Sequence, residues 1–216
     1  MSRFRAACIQ NTATRDIPAN IDWVCARIDE AVAGGAEFIA LPETVGLIEP
    51  VNAQIAPATS READDAGLAA FRDKARGHGV VVLVGSQLIL DQGRVFNRSF
   101  VLGRQGEIRA RYDKLHLFDI ELSNGESYLE SEVIAAGDKA VLVDTEWGRL
   151  GLSICYDLRF GGLYRALAQA GAEFITIPAA FTQTTGKAHW HTLVRARAID
   201  TGCYVLAPNQ CGHHCD

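Results

Sequence analysis

The octapeptide Gly35-Ala36-Glu37-Phe38-Ile39-Ala40-Leu41-Pro42 returns later in the chain as Gly171-Ala172-Glu173-Phe174-Ile175-Thr176-Ile177-Pro178. One short echo constrains little, but the elements around it repeat as well. Before each octapeptide comes a segment with helical spacing of apolar residues (Ile21, Val24, Cys25, Ile28 and Val32 in the first half; Leu163 to Ala170 in the second). Before each of those helices lies a strand, Arg3 to Gln10 and Arg149 to Ile154. After each octapeptide come another helix, Ala66 to Arg76 or Ala188 to Ala198, and another strand, Val80 to Leu90 or Cys203 to Ala207. The order strand-helix-strand-helix-strand thus occurs twice, which points to internal duplication. Strands in such units are apolar on both faces and need cover on both. Helices cover one face of each half, and the sheet of the other half covers the second. The expected fold is α/β, a four-layer αββα sandwich of two pseudo-repeated halves in a single domain, residues 1–216.

The halves differ at their ends. The first continues past Leu90 through a turn at Asp91-Gln92-Gly93 into Val95 to Leu102, then through Gly103 to Gly106 into Glu107 to Arg111. The second stops soon after Asn209, so matching C-terminal strands are expected to be missing and the domain incomplete at that end. Between the halves, Phe118 to Lys139 shows no clear period, and connections of that length are usually functional.

Composition narrows the class. The chain has 216 residues, 48% hydrophobic and 22% charged, with a formal net charge of −5. That is enough for a substantial core. With no basic run, a nucleic-acid partner is not expected. No apolar stretch approaches the ~20 residues of a membrane span, and Met1-Ser2-Arg3-Phe4 does not read as a signal peptide. The six cysteines, Cys8, Cys25, Cys155, Cys203, Cys211 and Cys215, are scattered rather than framework-spaced. Reduced thiols and a cytoplasmic location are the expectation.

Three stretches carry chemistry. In Ile154-Cys155-Tyr156-Asp157 the cysteine sits where a strand gives way to a helix, beside backbone N–H groups free to meet an anion. In Leu41-Pro42-Glu43 a carboxylate follows a strand stopped by proline. In Tyr112-Asp113-Lys114 a lysine ends a strand in apolar company. Each has an ordinary reading when taken alone: a small core hydrophobe, a solvated carboxylate, a surface lysine. Together, in this order and spacing, they resemble the three signatures of the nitrilase, or carbon–nitrogen hydrolase, superfamily. The resemblance runs from residue 3 to the end of the chain and is nearest to the omega-amidase and deaminated glutathione amidase branch. It implies a catalytic Glu43, Lys114 and Cys155, and a further active-site glutamate at Glu130 in the Gly125 to Gly137 loop. It also implies an acyl pocket near Arg159, Phe181 and Thr182, the αββα fold, no cofactor, and a homodimer or higher homo-oligomer.

These residue types suit amide hydrolysis. A thiolate attacks the carbonyl carbon, Glu43 manages protons, and Lys114 with the Tyr156 backbone N–H receives the developing oxyanion. Reference values for Cys and Glu differ by about 4 pKa units, about 6 kcal/mol. Burial raising the Glu43 value, with Lys114 favouring the thiolate, is expected to close much of that gap. Glu130 is expected to position Lys114 and steer its charge. The expected reaction is hydrolysis of a terminal amide of a small carboxylate-bearing molecule, with Arg159 suited to the carboxylate and ammonia released. The alternatives are a truncated homologue that binds without turnover, and nitrile, carbamoyl or acyl-transfer chemistry on the same triad. The tail Cys211-Gly212-His213-His214-Cys215-Asp216 matches no standard zinc spacing, so no metal is expected. Gly161-Gly162, where relatives usually carry proline, is expected to loosen the turn beside Cys155.

Overall fold

The repeat is realised strand for strand in the computed structural model, which describes residues 3–121, 125 and 127–214. The first half runs β1 (Ala6–Cys8), α1 (Ile17–Ala33), β2 (Phe38–Ala40), a short α2 (Asn52–Ala58), α3 (Ala66–His78) and β3 (Val81–Asp91). It continues into β4 (Arg94–Leu102) and β5 (Ile108–Asp113). A small hairpin, β6 (Asp119–Glu121) and β7 (Ser127–Leu129), leads to β8 (Leu142–Thr145). The second half is β9 (Gly148–Leu152), α4 (Gly161–Gln169), β10 (Phe174–Thr176), α5 (Gln183–Thr201) and β11 (Tyr204–Leu206).

The sheets have the orders β1-β2-β3-β4-β5 and β11-β10-β9-β8. In the first, Phe38 pairs in parallel with Ala6 on one side and Val81 on the other. In the second, Phe174 pairs in parallel with Leu150 and Tyr204. The octapeptides therefore occupy the same register in both sheets. The duplication reaches a tertiary detail: Arg5 donates to the Gly34 carbonyl, and Arg149 donates to that of Ala170. Each arginine lies against the following glycine, Gly35 or Gly171, which holds a positive φ and leaves room where a Cβ would press on the guanidinium. The halves part company at the flanks. The first sheet extends antiparallel from β3, whereas the second extends antiparallel from β9, on the opposite side.

Strand alternation builds the layers. Phe38, Ala40, Val81, Leu83 and Val101 face Leu150, Leu152, Phe174 and Trp147 between the sheets. Ile39, Leu41, Val82 and Val84 face outward onto Val24 and Ile28 of α1 and Leu68, Phe71 and Ala75 of α3. Ile175 and Ile177 face Leu163, Tyr164 and Leu167 of α4, with Leu193 and Val194 of α5 packed alongside. This is the expected αββα arrangement.

Element bounds differ from the sequence reading where local chemistry overrides apolar spacing. Helix α5 begins at Gln183, earlier than its apolar face, because Thr182 caps it and accepts from Thr185 N. Helix α2 has no buried residue and includes Pro57, so it offered no periodic face to read. The stretch from Phe118 holds the β6–β7 hairpin and a 3-10 turn at Glu130–Glu132. Among the described residues no helix is long and apolar enough to cross a membrane.

Candidate active site

Two tight corners and one strand end meet at the rim of the sandwich. The first corner follows β2, where Pro42 turns the chain and Glu43 leaves the sheet. Gly85 makes this possible, since a Cβ there would fall 2.0 Å from the Leu41 carbonyl oxygen. Thr44 takes φ 47° directly after Glu43, and its N–H is held by Ser86 Oγ at 2.8 Å. The second corner is Cys155, with φ 45°, at the start of a 3-10 turn spanning Cys155–Arg159. Non-glycine residues avoid this region, and such strain gathers at functional sites when the surroundings enforce it. Here Cys155 N donates to Pro178 O at 2.8 Å. The strand end is β5, beyond which Lys114 projects.

Lys114 Nζ lies 2.9 Å from Glu43 Oε1, and 3.1 and 2.9 Å from Glu130 Oε1 and Oε2. Glu43 Oε2 accepts from Ala180 N at 2.8 Å, and Glu130 Oε2 from Phe118 N at 2.6 Å. The Cys155 thiol and the Glu43 carboxylate are close enough for each to shift the other's proton affinity. All of Glu43, Lys114 and Cys155 are buried, with 4%, 2% and 7% exposure. The structure thus brings Glu43, Lys114, Glu130 and Cys155 to one place.

The proton balance departs from the sequence expectation. Burial pushes the Glu43 value up, but the Lys114 ammonium, the Cys155 thiol and the Ala180 N–H outweigh it, leaving Glu43 below its ordinary value. Burial and the neighbouring Glu43 carboxylate drive the Cys155 thiol well above its ordinary range, against the opposing pull of Lys114. Burial would lower Lys114, but Glu130 and Glu43 hold it well above. The gap between base and nucleophile is therefore widened at rest, not closed. The physical reason is charge balance: two carboxylates share one ammonium, so a third negative charge on sulfur is opposed. The resting site is a thiol beside a carboxylate.

A cavity of about 940 Å³ opens over these groups, walled by Tyr156, Phe181, Thr182, Phe118, Tyr128 and Leu129 among others. Phe181 and Thr182 line it as the resemblance implied. Arg159 does not. Its guanidinium sits 5.6 Å from the Tyr156 ring centroid and 5.7 Å from that of Phe181, and Nη2 meets His189 Nδ1 at 3.2 Å. The two rings attract the cation by their faces and hold it away from the cavity wall. The N–H groups flanking Tyr156 are engaged, Cys155 N by Pro178 O and Asp157 N by Ile154 O. That of Tyr156 lies in the first turn of the 3-10 helix, where N–H groups lack intrahelical partners. Gly161-Gly162 does open α4, but Arg197 Nε holds the Leu158 carbonyl at 2.9 Å and its guanidinium packs on Gly161. The turn is fastened from α5 rather than loose. Of the tail, Cys211, His213 and His214 line the cavity rim, whereas Cys215 and Asp216 lie outside the described residues.

Three site residues escaped the sequence reading. Asn97 Nδ2 donates to Glu43 Oε1 at 2.9 Å and Glu130 Oε1 at 3.3 Å, joining the two carboxylates. The signal was the polar run Asn97-Arg98-Ser99 inside an otherwise apolar strand covered on both faces. Gln210 Nε2 donates to the Glu43 carbonyl at 3.0 Å, and nothing local marked it. Asp157 stands out in the sequence only as part of the Ile154-Cys155-Tyr156-Asp157 motif.

Comparison with known proteins agrees with this geometry. The model of the family described as carbon–nitrogen hydrolase matches residues 5–216. A deaminated glutathione amidase of Synechocystis is 38% identical over 99% of this chain and 80% of its own length. The omega-amidase NIT2 of Homo sapiens is 35% identical over 95% of this chain and 74% of its own. The crystal structure of the C. elegans NitFhit protein superposes with a TM-score of 0.91 at 36% identity, covering all of this chain and 53% of that one. An amidase of Nesterenkonia, with a TM-score of 0.83 at 25% identity over 98% of this chain and 80% of that one, carries acrylamide added to its active-site cysteine. The chain belongs to the carbon–nitrogen hydrolase family.

Proposed function

We propose that this hydrolase cleaves the terminal amide of a small acyl amide through a thioester on Cys155, with Glu43 as acid/base and Lys114 as oxyanion donor. The observation that carries the reading is the buried Glu43–Lys114–Glu130 cluster, joined by contacts of 2.9–3.1 Å, with Cys155 lining the same cavity. The thiol sulfur attacks the amide carbon while its proton passes to Glu43. Because the resting thiol resists ionisation, proton transfer and C–S bond formation go together, and the charge emerges on the substrate oxygen rather than on sulfur. Lys114 Nζ and the Tyr156 N–H receive that oxygen. Collapse expels the amine, which takes the proton back from Glu43 and leaves as ammonia. Water attacks the thioester as Glu43 removes its proton, and the acid leaves with Cys155 restored as a thiol. Glu130, gripped by Phe118 N and shared with Asn97, fixes Lys114 without touching the reacting atoms.

The names of the relatives favour an acyl group bearing a carboxylate. Arg159, placed behind Tyr156 and Phe181, reaches such a group only if those rings move. The test is intact-protein mass spectrometry during turnover of omega-amides of dicarboxylic acids, alongside neutral amides of equal length. A trapped acyl mass on the wild-type chain, absent from Cys155→Ala, is the expected result. Ammonia release by Cys155→Ala at the wild-type rate sinks the nucleophile assignment. A trapped neutral acyl group without any dicarboxylic one sinks the carboxylate reading alone.

A further inference from the structure

Asp157 is fully buried, two residues beyond Cys155, and its carboxylate is used on both oxygens. Oδ2 accepts from Tyr112 Oη at 2.6 Å and from Ile154 N at 2.8 Å. Oδ1 accepts from His116 N at 3.0 Å and lies 2.7 Å from His116 Nδ1. The donors are a phenol, an imidazole and two backbone N–H groups. A buried carboxylate is costly even when fully bonded, and an apolar group of similar shape is often no worse for stability. Its presence calls for a geometric reason, and the placement of its donors supplies one. Tyr112 stands two residues before Lys114, on the last strand of the first sheet, and His116 two residues after it, where the chain bends. Ile154 and Asp157 themselves bracket Cys155. One carboxylate therefore ties both flanks of the lysine segment to both flanks of the cysteine corner. The His116 ring is fixed further by stacking on Phe160, with centroids 3.7 Å apart and planes 9° from parallel. Neither Asp157, Tyr112 nor His116 lines the cavity.

We propose that Asp157 is a positioning residue that sets the Lys114 ammonium against the Cys155 sulfur, through Tyr112 and His116. It holds the strained corner from below and carries the lysine strand with it, so the oxyanion donor and the nucleophile move as one body. The proposal rests on the roles given to Lys114 and Cys155 above. Misplacing a catalytic group by about 1 Å costs roughly 10²-fold in rate, so loosening one arm of the clamp lowers kcat by about 10- to 100-fold while KM changes less than threefold.

The experiment compares Tyr112→Phe, His116→Ala and His116→Asn, the last placing an amide N–H where Nδ1 stood. Each is measured for turnover of the best wild-type amide, for melting temperature, and for the pH dependence of Cys155 alkylation by 2-chloroacetamide. Lys114 is the cation that opposes the upward drive on the thiol. Displacing it moves the alkylation profile to higher pH, which a purely structural loss does not. The expected result is a raised profile and lowered kcat in Tyr112→Phe and His116→Ala, with His116→Asn restoring most of both. Unchanged profiles and unchanged kcat per folded protein, whatever happens to the melting temperature, overturn the clamp. Should His116→Ala fail to fold, Tyr112→Phe decides, since it keeps the ring in the core. If the clamp variants match wild type while Cys155→Ala is dead, only the clamp is lost; if Cys155→Ala is active, the underlying assignment falls.

Discussion

At the scale of single residues, the site is governed by an unequal count of charges. Glu43 and Glu130 share Lys114, and the thiol beside them stays protonated because a further anion would be unpaired. This fixes the pH dependence. Glu43 lies below its ordinary value, so it remains a base until the pH falls under the usual carboxylate range near ~4.3. Cys155 and Lys114 both lie above theirs, so the alkaline limb falls beyond about pH 8.5. A plot of kcat/KM against pH is expected to be flat between these limits; an acid limb centred near pH 6 would contradict the direction given for Glu43. The same directions bear on stability. The depressed Glu43 contributes stability present above its unfolded value and lost as pH falls through its lower folded value. The raised Lys114 contributes stability present below about 10.4 and lost as pH climbs through its folded value. A second expectation concerns the oxyanion. Lys114→Met should lower kcat by at least ~10²-fold with a smaller effect on KM, read from steady-state kinetics; a change under threefold would return Lys114 to a structural role.

At the scale of elements, β4 and β5 serve two networks from opposite faces. Asn97 and Lys114 face the site, while their neighbours Arg98 and Asp113 face away and pair across the ladder. Arg98 is 8% exposed and reaches Asp113 Oδ1 at 2.7 Å, Asp113 Oδ2 at 3.0 Å and Asp91 Oδ2 at 3.0 Å. The two-pronged contact pins the register that aims Lys114. Arg98→Met removes the cation facing Asp113 and Asp91; with those side chains 23% and 43% exposed, the cost is expected to be about 1–2 kcal/mol. Urea denaturation measures it; a loss under ~0.5 kcal/mol would mean the pairs are solvated in practice. The polar run in β4 made something visible in the sequence, but not which carboxylates it served. Asp91 and Asp113 are brought to Arg98 by the hairpin fold, and no spacing rule lists partners across two turns.

At the scale of the whole molecule, the duplication leaves a trace at the centre of the sandwich. Phe38 and Phe174, equivalent in the repeat, meet edge to face with centroids 6.1 Å apart and planes at 84°. Equivalent residues touch when they lie near the axis relating two copies, as in a symmetric dimer. Phe4 and Trp147 pack around them, stacked at 4.6 Å. Phe174→Ala removes a ring that is 2% exposed from the layer joining the halves, and should destabilise by about 3–5 kcal/mol in chemical denaturation. A cost below about 1 kcal/mol would mean that the halves hold together without this contact.

The sequence by itself determined the layered fold and pointed to the groups that meet at the candidate site, Glu43, Lys114 and Cys155. Both are local signals: a period of apolar residues marks each strand and helix, the repeated order dictates how they stack, and Glu43, Lys114 and Cys155 sit in short motifs at strand ends. Tertiary structure alone decided the electrostatics and the supports. Glu43 was expected to rise and is depressed, because its value depends on Lys114 and Ala180, which lie far from it in the chain. Arg159 was expected near the acyl pocket, and only the fold set it against Tyr156 and Phe181, the two rings of the cavity wall. Asn97 and Gln210, and Tyr112 and His116 as donors to Asp157, became partners only when separate segments converged. Periodicity records what a segment buries, whereas a proton's affinity and a side chain's direction are set by whichever distant groups the fold places within about 3 Å.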